Sequence, residues 1–178
     1  MYLVPSVSCH TVIATLMSEG KMKKIAAPLT LAILSLILSL TVIPTAFAED
    51  SINIDMSTVS SDGTGYTYSS NIITITANGS YTITGTSTSK RIKVASGVTA
   101  DITLSSVGID VSSGSTCAFD MTGATVDLTL IGDNTLKSGQ YYAGLYVPQG
   151  ALTVTTASTG TLRATGGDGG TGIGSGVS

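Results

Sequence analysis

From residue 66 onward the hydrophobic positions fall in short pairs, each split by one residue, and the pairs return at nearly constant intervals. One set runs Ile92/Val94, Phe119/Met121 and Leu145/Val147, with Ile173 opening a fourth member. A second runs Ile73/Ile75, Ile102/Leu104, Leu128/Leu130 and Leu152/Val154. A third is a single position, Ile83, Ile109, Leu136 and Leu162, at spacings of 26, 27 and 26 residues. Alternation with period two marks a strand with one buried face. Gly, Ser, Asn and Asp cluster between the pairs, where turns belong. The phrases "GVTADITL", "GATVDLTL" and "GALTV", starting at Gly97, Gly123 and Gly150, follow the same period.

Three short strands per repeat of about 26 residues, with no helical run between them, predict a chain wound around its own core. Each strand pairs in parallel with its equivalent one turn later, so every turn must offer the same buried face to the last. The expected fold is all-β, a right-handed parallel β-helix of about four coils over residues 66–178. An immunoglobulin-like sandwich is the competing architecture. Its strands do not repeat their inward residues in register, so the repeat argues against it.

The flanks carry other signals. Met22 opens a stretch with a positive start at Lys23 and Lys24. An apolar run follows from Leu29 to Ile43, interrupted by Thr30, Ser35, Ser39 and Thr41, and then Ala46-Phe47-Ala48. This is the form of a secretory signal peptide, residues 22–48, cleaved after Ala48. Residues 1–21 read as an upstream extension from a start placed too early, and they hold Cys9 and His10. Residues 49–65 fit no repeat and are expected to form an N-terminal cap or linker. Ile173 opens a new turn close to Ser178, which suggests that the helix is truncated there and that the chain begins a longer surface protein.

Charge and composition narrow the function. After residue 48 the chain has five bases and ten acids, a balance of −5 that disfavours nucleic acid, which needs a basic footprint. Cys117 is the single cysteine there, so no internal disulfide forms, and it is expected to pack in the core. That stretch has no histidine, no tryptophan and one glutamate, so no enzyme is expected. Asp110, Asp133 and Asp168 fall in turns or at strand edges, and nothing in the sequence makes them converge as paired catalytic carboxylates. The segment "GGDGGTGIGSG" lacks the Lys-Ser/Thr and the helix of a phosphate loop.

Five further features recur together: Asn134-Thr135-Leu136, Gly144-Leu145, the turn Pro148-Gln149-Gly150, Leu152-Thr153-Val154 and Gly172-Ile173-Gly174. With them, residues 79–176 resemble the β-helical carbohydrate-binding modules of clostridial and other Gram-positive surface proteins. The resemblance implies secretion, display at the cell surface and binding of plant-type or acidic polysaccharide, of cellulose or pectin type. It also implies frequent calcium and a fold similar to that of pectate lyases. The lyase's acidic calcium cluster with its Arg or Lys has no counterpart that can be placed here, so its activity does not follow.

Stacked coils also put outward residues in columns. Lys93, Asp120 and Tyr146 are expected in one column, the first two as an opposite-charge pair. Thr74, Thr103, Thr129 and Thr153 form an expected ladder one residue wide. It reads as plain strand propensity on a wet face, or as a regular face for crystalline polysaccharide or ice. Asp101 and Asp127 are expected to stack as like charges, which solvent screens or Ca²⁺ bridges. Tyr141, Tyr142 and Tyr146 are the candidate sugar contacts, because a tyrosine ring suits the CH face of a sugar and its hydroxyl the rim. Lys137, in a column expected to continue to Arg163, would pair an acidic sugar. The expected function is non-catalytic polysaccharide binding outside the cell. The alternatives are a structural or adhesive stalk, or a lyase- or glycosidase-like helix.

Overall fold

The computed structural model describes residues 50–175, so the expected upstream extension at 1–21 and the expected signal peptide at 22–48 lie outside the described residues. The described chain is a parallel β-helix with three faces. The first face holds β1 (Ile52–Asp55), β4 (Gly79–Ser87), β6 (Thr99–Asp110), β8 (Thr125–Ile131) and β11 (Ala151–Val154), in that spatial order. The long strands β4 and β6 turn a corner, and their last residues enter a second face with β9 (Asp133–Lys137) and β12 (Thr161–Thr165). The third face holds β3 (Ile72–Ile75), β5 (Arg91–Val94), β7 (Phe119–Asp120), β10 (Leu145–Tyr146) and β13 (Ile173–Gly174).

Five strands on the first face make five turns rather than the four expected. The extra turn comes from residues that fitted no repeat. β1 pairs in parallel with β4, Ile52 opposite Tyr81 and Ile54 opposite Ile83, and Ile54 and Met56 are buried. The third face closes differently. β2 (Tyr66–Ser69) runs antiparallel to β3 through a tight turn at Ser70 and Asn71, both with positive φ. Positive φ at both central residues gives the twist a two-residue hairpin needs. The hairpin ends the parallel stacking on that face and covers its edge. Tyr66 and Tyr68 therefore sit at an end of the coil.

The inward residues form continuous stacks. Ile73, Ile92, Phe119, Leu145 and Ile173 stack on the third face. Tyr81, Ile102, Leu128 and Val154 stack on the first, beside Ile83, Leu104 and Leu130. Val154 and Ile173, in the last coil, stay about half exposed, but each fully buried aliphatic side chain of these stacks contributes about 1.5–3 kcal/mol, so the aligned stack is the main source of stability. Tyr81 is a core residue, and its hydroxyl donates toward the Gly65 and Ala77 carbonyls. Cys117 is buried as expected.

The register differs from the expected one in three places. Ile73 and Ile75 stack under Ile92 and Val94, not under Ile102 and Leu104. Leu152 lies opposite Val126 and Val154 opposite Leu128, a shift of two residues. Ile109 lies opposite Ser87, and Leu136 is followed by Ala164 rather than Leu162. A shift of two keeps every side chain on its own face, so the alternating pattern alone cannot detect it. The glycine phrase is corrected in the same way. Gly97 and Gly123, at φ 81° and 69°, align with Gln149 at φ 57°, so the third copy begins one residue before Gly150.

Candidate functional site

Strand β9 brings the chain along the second face to a corner, residues 138–142, which carries Tyr141 and Tyr142. The corner is fastened from below by Ser138. Its buried hydroxyl donates to the Ala143 carbonyl and accepts the Ala118 N–H, both at 2.7 Å. The backbone is tied to the turns on either side. The Gly139 N–H donates to the Thr116 carbonyl at 2.9 Å, and the Tyr141 N–H to the Asp168 carbonyl at 2.9 Å. The Gly167 N–H donates to the Tyr142 carbonyl at 3.2 Å.

Tyr141 has φ 67° and is 58% exposed, while Tyr142 is 37% exposed. A bulky residue in the left-handed region is strained, at a cost of about 1–3 kcal/mol, and such strain gathers at binding sites. Its ring lies over Gly169, where a Cβ would come 3.1 Å from Cδ1 of Tyr141 and where φ is 75°. Gly169 thus supplies both the backbone turn and the space beneath the ring. The corner presents two neighbouring tyrosines to solvent on a backbone fixed by both adjacent coils.

The other expected site residues fall in different places. Tyr146 is half-buried on the third face, in the expected column above Lys93 and Asp120. The Asp120 carboxylate accepts the N–H and hydroxyl of Thr122, at 2.9 and 2.6 Å, and among the described residues it makes no ion pair with Lys93. Lys137 and Arg163 share the second face but not a column, contrary to expectation. Lys137 is opposite Thr165, and Arg163 is opposite Thr135. The two-residue register shift at β12 is the cause. Lys137 forms an ion pair with Asp110 at 3.2 Å. Asp110 also accepts the Ser112 hydroxyl and N–H, which with Lys137 hold its carboxyl below the usual range.

Asp101 and Asp127 do stack, as direct partners on the first face, and both are exposed. Among the described residues no group of three His, Cys, Asp or Glu side chains gathers to hold a metal. Ca²⁺ takes six to eight oxygens, so this pair alone does not make a site. The expected threonine ladder is rebuilt by the register. Thr82, Thr103 and Thr129 align, and the Thr129 hydroxyl meets that of Thr155 at 2.8 Å, while Thr153 lies beside Asp127 and Thr74 beside Lys93. The face is also wider than one residue, because Thr99 and Thr125 form a parallel column beyond the two aspartates.

Of the carboxylates weighed for catalysis, Asp110 and Asp133 do not pair. Asp110 is aligned with Lys137 and Asp133 with Thr161, at opposite ends of β9. Four residues of strand set them roughly 13 Å apart along the chain direction, beyond the separation of glycosidase carboxylate pairs. Two structural residues were not singled out by pattern. Asn134 is buried at the corner between the first and second faces, and Ser138 is buried at the next corner. A small polar residue between strand-like positions was the one available signal.

Compared with models of known protein families, with curated proteins and with solved structures, the chain matches none.

Proposed function

We propose that this chain is a non-catalytic carbohydrate-binding module that holds polysaccharide outside the cell. The observation that carries the reading is the corner of Tyr141 and Tyr142, exposed, strained and fixed by hydrogen bonds to the coils on both sides. A rigid aromatic pair offers apolar faces to sugar CH groups at little entropic cost. Lys137 and Arg163 lie on the face that leads to this corner and add cations for acidic sugars. The leader read at residues 22–48 and the resemblance to β-helical surface modules support an extracellular location. The separation of Asp110 from Asp133 supports binding without cleavage. Calcium at Asp101 and Asp127 would be an accessory to this function and not its centre.

Sedimentation with insoluble cellulose and with pectin tests the reading. The purified chain should co-sediment with at least one of them. The change Tyr141→Ala with Tyr142→Ala should abolish retention while the circular dichroism spectrum stays unchanged. Failure to bind any glycan would favour a stalk role, in which the coils are a spacer.

A further inference from the structure

The glycine-rich corner after β12, residues 166–172, packs on the tyrosine corner from the next coil. The Asp168 carbonyl accepts the Tyr141 N–H at 2.9 Å, and the ring of Tyr141 lies over Gly169, the following residue. The Gly167 N–H ties the same turn to the Tyr142 carbonyl at 3.2 Å. Asp168 is thus held beside the Tyr141 ring on a backbone that both coils fix, and its side chain is exposed.

The Asp168 carboxylate is not used as other aspartates at strand ends are used. Asp55, Asp110 and Asp120 each end a strand, two residues before a serine or threonine. In each case one carboxylate oxygen accepts both the N–H and the hydroxyl of that residue. Such an aspartate works on its own turn. Two residues after Asp168 stands Gly170, which has no hydroxyl, and its N–H donates to the Gly167 carbonyl at 2.7 Å. Gly169, at φ 75°, completes the turn. Glycine backbone therefore closes this corner without the acid. Among the described residues the Asp168 carboxylate makes no ion pair and no side-chain hydrogen bond, and Lys137, the cation nearest the tyrosines in sequence, is paired with Asp110.

An unengaged carboxylate beside an exposed aromatic ring suits a hydroxyl-rich sugar. The CH face of the sugar lies on the ring, and its rim hydroxyls donate to the carboxylate oxygens. A sugar carboxylate in the same seat meets a like charge. We infer that Asp168 contacts the bound sugar and sets the charge preference of the tyrosine corner, which seats a neutral sugar unit and rejects a carboxylated one. The inference rests on the reading of Tyr141 and Tyr142 as sugar contacts and adds the residue that chooses between neutral and acidic units there. Carboxylates of a mixed chain must then lie back along β9 and β12, toward Lys137 and Arg163.

Calorimetric titration of the full chain with cellotetraose, and with the same tetrasaccharide oxidised to carboxylates at its primary alcohols, tests it. The parent should bind the neutral probe more tightly than the oxidised one. Asp168→Ala should bind the neutral probe about tenfold more weakly, the scale of one charge-assisted hydrogen bond, and should gain affinity for the oxidised probe. A merely structural role would lower both affinities together, and circular dichroism checks that the coil is kept. Tighter binding of the oxidised probe by the parent, an unchanged preference in Asp168→Ala, or binding of neither probe would overturn the inference. If the inference fails while the chain still sediments with a glycan and loses it on Tyr141→Ala with Tyr142→Ala, the tyrosine site stands without Asp168. If the parent binds neither probe and sediments with no glycan, the binding reading itself fails, and the role of Asp168 with it.

Discussion

Asn134 and Val107 stand one coil apart, and the amide oxygen of Asn134 accepts the Val107 N–H at 2.9 Å. The amide nitrogen of the same side chain donates to the carbonyls of Ile131 at 3.2 Å, Gly132 at 3.3 Å and Thr161 at 3.0 Å. One buried side chain thus satisfies the backbone of three successive coils at the corner between the first two faces. Buried backbone groups need partners, and a corner breaks the ladder that would supply them.

Asn134→Ala should therefore destabilise the chain by about 3 kcal/mol, since it strands a buried N–H and several carbonyls at once. Asn53→Ala, on the exposed side of β1, should change stability by less than about 0.5 kcal/mol. Urea unfolding of the two variants, followed by circular dichroism, measures the contrast.

Tyr141 offers a way to separate stability from function. Tyr141→Gly removes the cost of a left-handed tyrosine, and the glycine loses part of that gain to chain entropy. The variant should be as stable as the parent or up to about 1 kcal/mol more stable, yet bind glycan poorly. A variant that loses stability and binding together would mean that the ring holds the corner in place.

Cys117 sets an alkaline limit. Burial first, and then the negative charge of Asp120, push its thiol up from 9.0 to about 11. The folded state keeps the proton longer than the unfolded chain does. Its stability contribution is complete below pH 9, is lost as pH rises toward about 11, and is gone above that value. A shift of this size corresponds to about 3 kcal/mol. Cys117→Ala should flatten this part of the stability–pH curve, leaving the smaller alkaline decline expected from buried Tyr81. In the native chain the thiol should resist alkylation at neutral pH.

The stacked Asp101 and Asp127 should repel each other measurably. Asp127→Asn should stabilise the chain by about 0.2–1 kcal/mol at low salt, and the gain should fade at high salt. Thermal unfolding at two salt concentrations measures it. A matching rise in the parent on adding calcium, absent from the variant, would mark the pair as a cation site.

Much of the helix was legible because its inward residues alternate strictly and return in every coil. That gave the parallel stack, the third-face column of Ile92, Phe119, Leu145 and Ile173, the charge column of Lys93 and Asp120, and the pairing of Asp101 with Asp127. The errors came from corners. Tyr81 precedes Ile102 by 21 residues, whereas Ile102 precedes Leu128 by 26. The faces are regular, but the corners absorb different lengths. β8 buries Val126, Leu128 and Leu130 in turn, so sliding β11 by two residues leaves the pattern equally satisfied. That slip misplaced Thr153, and the matching slip at β12 misplaced Arg163. Asn134 and Ser138 were not legible as core residues, because their burial depends on which corner carbonyls and N–H groups lie within reach.

The tyrosine corner is the centre of the account, and the chain contains no tryptophan to mask a tyrosine signal. The most direct measurement is the ultraviolet difference spectrum of the purified chain titrated with oligosaccharides of cellulose and pectin type. A saturable shift of the tyrosine band that vanishes in the Tyr141→Ala, Tyr142→Ala variant is the predicted result. A shift that persists in that variant, or no shift with any oligosaccharide, would contradict the assignment of this corner as the sugar-binding site.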